Sequence, residues 1–226
     1  MEKEKETRDT KTILTKPEQA ALKWLLGRLP RWVTPDMMTV TGLAGALLVA
    51  LGYALTRVDR AFLAMASVGY AVNWLGDSLD GTLARYRHEE RPLFGFFIDH
   101  NIDTVTVFLI GIGAGLSPYL KLSTSLLIVT GYFMMSILTY INTYLTGVFK
   151  ISYGMLGPSE FRVIMILFNS GLYFFHNRAV VTFKNFTGTV FDVLGVGIAV
   201  FLYGLFLFYF IRGLCLYHKR DPRPRS

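Results

Sequence analysis

The chain of 226 residues has few charged residues and a single cysteine. Charged residues make up 17% of the sequence and hydrophobic residues 52%, whereas a soluble domain carries about 25% charged residues. Cys215 has no second cysteine with which to form an intramolecular disulfide. Residues 1–16 are polar and lack the apolar core of a signal peptide. The composition therefore predicts a membrane protein that forms one helical domain.

The net charge of +7 is concentrated near the two ends of the chain. We interpret it as a determinant of membrane topology and as an attraction to anionic lipids, and we expect no nucleic-acid partner. The predicted organisation is a polar tail over residues 1–16, a membrane domain over 17–216 and a basic tail over 217–226.

Six apolar segments predict six transmembrane helices, and so an all-α, multi-pass membrane protein. Their predicted boundaries are 37–56, 62–85, 95–116, 122–148, 161–177 and 189–214.

Residues 17–32 precede these spans and predict a short amphipathic helix. We expect this helix to lie in the membrane interface, and the alternative is an ordinary helix packed beside the first span. Its predicted apolar face consists of Ala20, Ala21, Trp24, Leu25 and Leu29.

Lysine and arginine are distributed unequally between the two sides of these six spans. With both termini on one side, that side holds 18 of the 23 Lys and Arg residues. Because positively charged loops remain in the cytoplasm, we expect both termini to be cytoplasmic.

Four aspartates interrupt the apolar sequence where the second span ends and the third begins. With x for any residue, the pattern is Asp77-x2-Asp80-Gly81-x2-Ala84-Arg85-x9-Gly95-x3-Asp99-x3-Asp103. The first two aspartates are three residues apart and the last two are four apart, so each pair shares one face of its helix. A short turn joins the two helices, so we expect them to be antiparallel neighbours whose carboxylates converge near the cytoplasmic surface.

Four neighbouring carboxylates require compensating positive charge, because like charges do not all remain ionised at close range. Oxygen ligands of this kind favour Mg²⁺ or Mn²⁺, and two such ions can bind a pyrophosphate and assist phosphoryl transfer. Gly81 and Ala84 are small enough for a ligand to approach, and Arg85 offers a planar fork to a phosphate. Gly95 is expected to let the second and third spans pack closely.

This pattern resembles the signature of the CDP-alcohol phosphotransferase family, class I, at every fixed position. The resemblance implies a six-helix membrane core, a homodimer and two bound divalent cations, Mg²⁺ or Mn²⁺. It also implies transfer of a substituted phosphoryl group from a CDP-linked donor to the hydroxyl of a lipid or polar alcohol, with release of CMP.

Carried over by position, the resemblance implies that Asp77, Asp80 and Asp99 are metal ligands. It implies that Asp103 is both a ligand and the general base that acts on the acceptor hydroxyl. Gly81, Ala84 and Arg85 are implied contacts of the cytidine diphosphate.

Asp36 is a further candidate for nucleotide binding. The sequence around it is similar to the Pro-Asn-x-x-Thr start of the first span in many family members, with Asp in place of Asn. It reads Thr34-Pro35-Asp36-Met37-Met38-Thr39. The alternative is that Thr34 or Asp36 caps the first span and Pro35 occupies its first turn.

Two segments resemble the choline and ethanolamine phosphotransferase branch of the family. They are Phe94-Gly95-x3-Asp99-His100-x2-Asp103-Thr104 and Thr143-Tyr144-x-Thr146-Gly147-Val148. This resemblance implies transfer from a CDP-aminoalcohol to diacylglycerol. The alternative is transfer from CDP-diacylglycerol to a small polar alcohol of the inositol phosphate, glycerol phosphate or serine type.

Five other polar residues are candidates for positioning a substrate, namely His100, Asn142, Lys150, Glu160 and Arg162. Each has a structural alternative: His100 hydrogen-bonded beside the metal site, Asn142 joining two helices, Lys150 anchored at the membrane interface. Glu160 and Arg162 lie at the start of the fifth span, where a nearby Ser or Pro is sufficient to begin the helix.

Two other kinds of protein also use intramembrane aspartates. An intramembrane prenyltransferase usually has two separated aspartate motifs and more spans than this chain. In a cation channel or transporter we expect acidic residues along a path across the bilayer. The outer half of this chain offers little beyond Asp192.

Overall fold

A computed structural model describes residues 14–147, 157–175, 180–183 and 186–221. Over these residues the chain forms seven helices and one antiparallel hairpin. The helices are α1 (Thr15–Leu26), α2 (Pro35–Leu55), α3 (Phe62–Arg87), α4 (Pro92–Leu116), α5 (Leu122–Thr146), α6 (Pro158–Phe175) and α7 (Val190–Arg220). The hairpin strands are β1 (Val180–Phe183) and β2 (Phe186–Thr189). The predicted all-α architecture is confirmed, and the hairpin was not predicted.

The ends of the helices follow from local sequence. Thr34 caps α2 by accepting a hydrogen bond from the backbone N–H of Met37 at 3.2 Å, and Pro35 occupies the first turn. α3 ends at Arg87, the following residue His88 adopts a left-handed φ of 58°, and Pro92 begins α4. The turn that joins the two aspartate-bearing helices is therefore short.

α2 and α3 pack with their backbones nearly in contact, because glycines line both sides of the crossing. A Cβ added at Gly45 would lie 2.3 Å from the backbone N of Asn73. A Cβ added at Gly76 would lie 2.2 Å from the backbone N of Gly42. Such close approach depends on residues without side chains, and it brings α2 against the segment that carries the first two aspartates.

α2 also packs against α4, since a Cβ added at Gly113 would lie 2.3 Å from the Cα of Ala50. Among the described residues, α3 and α4 themselves have little or no backbone contact. The expectation that Gly95 allows these two helices to pack closely is wrong, because a Cβ there would meet nothing within 4 Å. The close packing is instead made by α2 with each of them, which leaves a space between α3 and α4.

The main hydrophobic core joins α2, α3 and α6. It contains Val49, Tyr53, Leu63, Ala66, Tyr70, Tyr119 and Leu172. Within it, the Tyr53 hydroxyl donates to Asn169 Oδ1 at 2.9 Å, and Asn169 Nδ2 donates to Ser67 at 3.2 Å. Asn169 thus joins α6 to both neighbouring helices and satisfies polar groups that water does not reach.

α1 packs against α3 through a second cluster, made by Leu22, Leu26, Val33, Leu79 and Leu83. Of the predicted apolar face, Leu25 and Leu29 pack against this cluster, whereas Trp24 is 58% exposed and Ala20 is also exposed. The buried face is rotated toward Leu22 and Leu26, because α3 presents its apolar side chains there. The guanidinium of Arg28 instead covers the exposed Trp24 ring, 3.9 Å from its centroid.

The start of α7 is fixed by Asp192, a residue to which the sequence assigned no role. Its side chain is fully buried and accepts hydrogen bonds from the backbone N–H of Thr189 and of Lys121, each at 2.8 Å. Thr189 in turn accepts from the backbone of Asp192, which completes a capping box. This carboxylate therefore joins the start of α7 to the segment between α4 and α5.

Among the helices that the structure describes, four are long and apolar enough to cross a membrane, namely α2, α4, α5 and α7. α3 carries Asp77, Asp80, Arg85 and Arg87 in its C-terminal half, and α6 is only 18 residues long.

Candidate active site

Three of the four aspartates converge across the space between α3 and α4. Asp77 on α3 and Asp99 and Asp103 on α4 each present a carboxylate oxygen, and these three oxygens lie within 4.8 Å of one another. All three residues are partly buried. The spacing within each helix brings two side chains to one face, and the packing of both helices on α2 brings the two faces together.

The pocket around these carboxylates is lined by α2, α3 and α4. Its lining residues are Thr39, Gly42, Asn73, Asp77, Asp80, Asp99, Ile102, Asp103 and Thr106. All four aspartates of the motif thus face one small acidic pocket.

Asp80 lies in this pocket but outside the group of three. Its Oδ1 accepts a hydrogen bond from the backbone N–H of Gly81 at 2.5 Å, and its Oδ2 accepts from the Thr39 hydroxyl at 3.0 Å. Thr39 thereby joins α2 to the carboxylate of α3.

Arg162 of α6 places a positive charge against the acidic pocket. Its Nη2 lies 2.7 Å from Oδ2 of Asp77, and its Nε donates to Oδ1 of Asn73 at 2.8 Å. Asn73 in turn donates to the backbone oxygen of Gly42 at 2.8 Å. Arg162 is only 8% exposed, and the Asp77 carboxylate partly neutralises its charge.

The predicted nucleotide contacts follow Asp80 along α3. A Cβ added at Gly81 would lie 3.3 Å from Nη1 of Arg85, so the guanidinium covers this glycine. Nη2 of Arg85 donates to the Thr82 hydroxyl at 3.2 Å. Arg85 is exposed and Ala84 is half-buried, so the arginine is accessible at the protein surface.

Asp36 lies outside the lining of the acidic pocket. It forms an ion pair with Arg91, in which both side chains are more than half exposed, and Arg91 also covers the ring of Phe94 at 4.1 Å. Asp36 borders a separate open groove with Met37, Val40 and Thr41.

His100 does not line the pocket either. Its Nδ1 is 2.8 Å from the backbone oxygen of Phe96, one turn earlier in α4. Its ring lies between Phe96, at a centroid distance of 4.2 Å, and Tyr140 of α5, at 5.3 Å.

The remaining candidates occupy different places. Asn142 accepts a hydrogen bond from the Tyr217 hydroxyl at 3.0 Å and so joins α5 to α7. Glu160 is buried and accepts from the backbone N–H groups of Gly157 and Leu14, at 2.9 and 2.8 Å. Lys150 lies outside the described residues.

Sequence reasoning missed Thr39 and Asn73 as parts of the site. Asn73 precedes Asp77 by four residues, so helical spacing already places it on the same face. Thr39 is the last residue of the segment that is similar to the start of the family's first span, but its contact with Asp80 spans 41 residues.

The donor set of the pocket fits a divalent cation. Carboxylate oxygens are the ligands that Mg²⁺ and Mn²⁺ prefer, and three of them already lie within 4.8 Å of one another. Asp80 and the Thr39 hydroxyl add further oxygen atoms at the same pocket.

Comparisons with known proteins find both a family and individual relatives. A family model described as CDP-alcohol phosphatidyltransferase matches residues 32–209. Cholinephosphotransferase 1 of Bos taurus is 25% identical over 164 residues, which cover 69% of this chain and 40% of that protein. The Danio rerio cholinephosphotransferase 1 is 23% identical over 225 residues, which cover 93% of this chain and 57% of that protein. The chain thus spans about half the length of the curated relatives it matches.

Proposed function

The chain belongs to the CDP-alcohol phosphatidyltransferase family, and we propose that it transfers a phosphoaminoalcohol from a CDP-linked donor to diacylglycerol and releases CMP. The observation that carries this proposal is the convergence of Asp77, Asp99 and Asp103 in one pocket. The similarity to cholinephosphotransferases supports a choline- or ethanolamine-type donor.

The proposed metal ligands are the four aspartates of the pocket, which together hold two ions, Mg²⁺ or Mn²⁺. Bound there, the ions supply positive charge that stabilises the transferring phosphoryl group and the leaving CMP. The separate hydrogen bonds of Asp80 to Thr39 and Gly81 orient its carboxylate without contributions from α4.

Asp103 is the proposed general base. It accepts the proton of the acceptor hydroxyl while the hydroxyl oxygen forms a bond to the phosphorus next to the head-group oxygen. The bond between that phosphorus and the oxygen that remains with CMP breaks, and CMP leaves with the electron pair. Asp103 suits this role because its carboxylate lines the same pocket as the three other aspartates that would hold the ions.

The proposed nucleotide contacts are Gly81, Ala84 and Arg85, with Asp36 at the margin. Arg85 binds a phosphate through its planar fork. Because its guanidinium rests on Gly81, the absence of a side chain at that position leaves room for both the arginine and the diphosphate. Five further residues are proposed to position the substrate, either directly or through neighbouring residues, namely His100, Asn142, Lys150, Glu160 and Arg162.

The chain is an integral, multi-pass membrane protein, and we propose that α2 to α7 supply six spans. Both termini and the acidic pocket are proposed to be cytoplasmic, with α1 at the membrane interface and with the protein a homodimer. In a Cys215→Ser background, an impermeant maleimide should label Lys219→Cys from the cytoplasm and Val58→Cys from the opposite side. Labelling of both variants from the same side would contradict an arrangement of six spans.

The decisive experiment measures CMP release by the purified full-length chain with Mg²⁺ or Mn²⁺. CDP-choline and CDP-ethanolamine are tested with diacylglycerol, and CDP-diacylglycerol is tested with inositol phosphate, glycerol phosphate and serine. Release that depends on both a CDP-aminoalcohol and diacylglycerol supports the proposal. Release only from CDP-diacylglycerol assigns the chain to the alternative reaction, transfer from CDP-diacylglycerol to a small polar alcohol. Ion flux without CMP release rejects the proposal that the chain is an enzyme.

A further inference from the structure

Glu18 joins three helices beside the acidic pocket. Its Oε1 accepts hydrogen bonds from Nε1 of Trp74 at 2.9 Å and from the hydroxyl of Ser78 at 3.0 Å, both on α3. The same oxygen accepts from the hydroxyl of Ser159 on α6 at 2.7 Å. Three donors from two other helices meet at this one oxygen, so Glu18 connects α1 to both α3 and α6.

The α3 partners of Glu18 lie directly beside the residues that hold Arg162. Trp74 and Ser78 are four residues apart and form one row along α3. Asn73 and Asp77 form the adjacent row, each one residue earlier, and both contact Arg162. A displacement of α3 at the first row therefore displaces the carboxylate in the second.

The α6 partners close the connection. Ser159 and Arg162 are three residues apart and lie on the same side of α6. Ser159 contacts Glu18 and Arg162 contacts Asp77, so α1, α3 and α6 form a closed ring of hydrogen bonds. Glu160 adds a second connection between α6 and α1 through the backbone N–H of Leu14.

This ring matters for the metal site because α3 and α4 have little or no backbone contact over the described residues. The distance from Asp77 to Asp99 and Asp103 is therefore set by α2, which packs on both helices, and by the contacts of α3 with α1 and α6. We propose that Glu18 is a positioning residue for Asp77, which keeps this carboxylate at the spacing needed to share a divalent cation with Asp99 and Asp103. The inference rests on the metal-binding part of the proposed function.

The test measures Mn²⁺ binding to the full-length protein in detergent by electron paramagnetic resonance of the free ion. Glu18→Ala is compared with the wild type and with Gln19→Ala, which changes an exposed neighbour on the same helix. We expect Glu18→Ala to weaken Mn²⁺ binding about 10-fold or more, as for other residues that orient metal ligands, and Gln19→Ala to bind as the wild type does. Glu18→Gln retains one oxygen acceptor and should recover part of the affinity.

Thermal unfolding of each variant separates positioning from stability. If Glu18→Ala lowers the melting temperature but the folded protein binds Mn²⁺ with unchanged affinity, the inference is overturned. If Glu18→Ala does not fold, Ser159→Ala decides, because it removes one donor and leaves the contacts of Glu18 with α3. It should weaken Mn²⁺ binding to a smaller extent, and unchanged affinity would overturn the inference.

The wild type distinguishes the two proposals. Absence of Mn²⁺ binding by the wild type rejects the metal site of the proposed function, and the inference about Glu18 is then rejected with it. Binding by the wild type together with equal binding by Glu18→Ala rejects only the role of Glu18.

Discussion

Arg162 binds Asp77 and Asn73 with two different nitrogens of its guanidinium, Nη2 at 2.7 Å and Nε at 2.8 Å. The two acceptors are four residues apart on α3 and face α6 together. Because the guanidinium is planar and rigid, this pair of contacts fixes the direction of the Asp77 carboxylate.

Replacing Arg162 by Lys should therefore impair the site although the positive charge remains. A lysine provides one flexible ammonium, which does not match both acceptors. We expect Arg162→Lys to reduce the rate of CMP release about 10- to 100-fold, the range for residues that orient metal ligands. The measurement is the rate at saturating donor over a series of Mg²⁺ concentrations.

Phe161→Ala is the matched control for this change, since Phe161 is the adjacent residue on α6 and is 53% exposed. It should leave both the rate and the Mg²⁺ dependence near those of the wild type. Full activity of Arg162→Lys would show that charge alone suffices at this position.

Asp103→Asn should abolish most of the transfer while leaving the fold intact. The amide has nearly the same shape as the carboxylate but does not accept the proton of the acceptor hydroxyl, and loss of a general base costs about 10²–10⁴-fold in rate. The measurement is CMP release by the purified variant, with its melting temperature measured in parallel.

Glu90→Gln serves as the control for Asp103→Asn, because it neutralises an exposed carboxylate in the turn between α3 and α4. Near-wild-type turnover in Asp103→Asn would assign the base to another residue.

Gly76→Ala should prevent normal packing of α2 against α3. The added Cβ would lie 2.2 Å from the backbone N of Gly42, and backbone atoms cannot move aside as a flexible side chain can. We expect a loss of about 1–3 kcal/mol in the free energy of unfolding, as for other overpacked sites, or failure to fold. The measurement is the melting temperature and the monodisperse yield in detergent.

Gly204→Ala provides the comparison, since a Cβ at Gly204 would meet nothing within 4 Å. It should be close to the wild type in both measurements. Equal stability of the two variants would contradict the close crossing of α2 and α3.

Asp192→Asn should reduce stability without a direct effect on the chemistry. The amide N–H₂ would replace one of two oxygens that both accept backbone N–H groups, so one donor would face another. Leaving a buried donor unsatisfied costs about 1–3 kcal/mol. A thermal melt should show this loss, while the rate per folded molecule stays near that of the wild type.

This result would contrast with that of Asp103→Asn, in which activity is lost and the fold is retained. A large loss of rate per folded molecule in Asp192→Asn would show instead that the start of α7 is coupled to the acidic pocket.

The helical spacing of the four aspartates predicted that their carboxylates would face one another, and the structure brings three of them within 4.8 Å. The prediction succeeded because spacing along a helix and a short turn are local properties. It was wrong about which helices pack closely. Gly95 lies in the motif but meets open space, whereas Gly45 and Gly76 make the close crossing. A glycine in the sequence indicates that close approach is allowed, but the neighbouring helix is decided by the whole bundle.

Long-range contacts were also beyond the sequence. Glu18 resembles any other charge on an amphipathic helix until α1 lies against α3 and α6, whose contacting residues are 56 to 141 positions away. Asp192 likewise had no assigned role, because its partner Lys121 is 71 positions away along the chain.

The sequence by itself determined the apolar segments, the ends of most helices and the acidic motif with its set of carboxylate oxygens, because these depend on residue type and spacing along one helix. The tertiary structure decided which helices are in contact, the separation of α3 from α4 that leaves room for a ligand, and the partners of Glu18, Arg162 and Asp192. Those features depend on how the helices pack against one another, and that packing is a property of the whole chain.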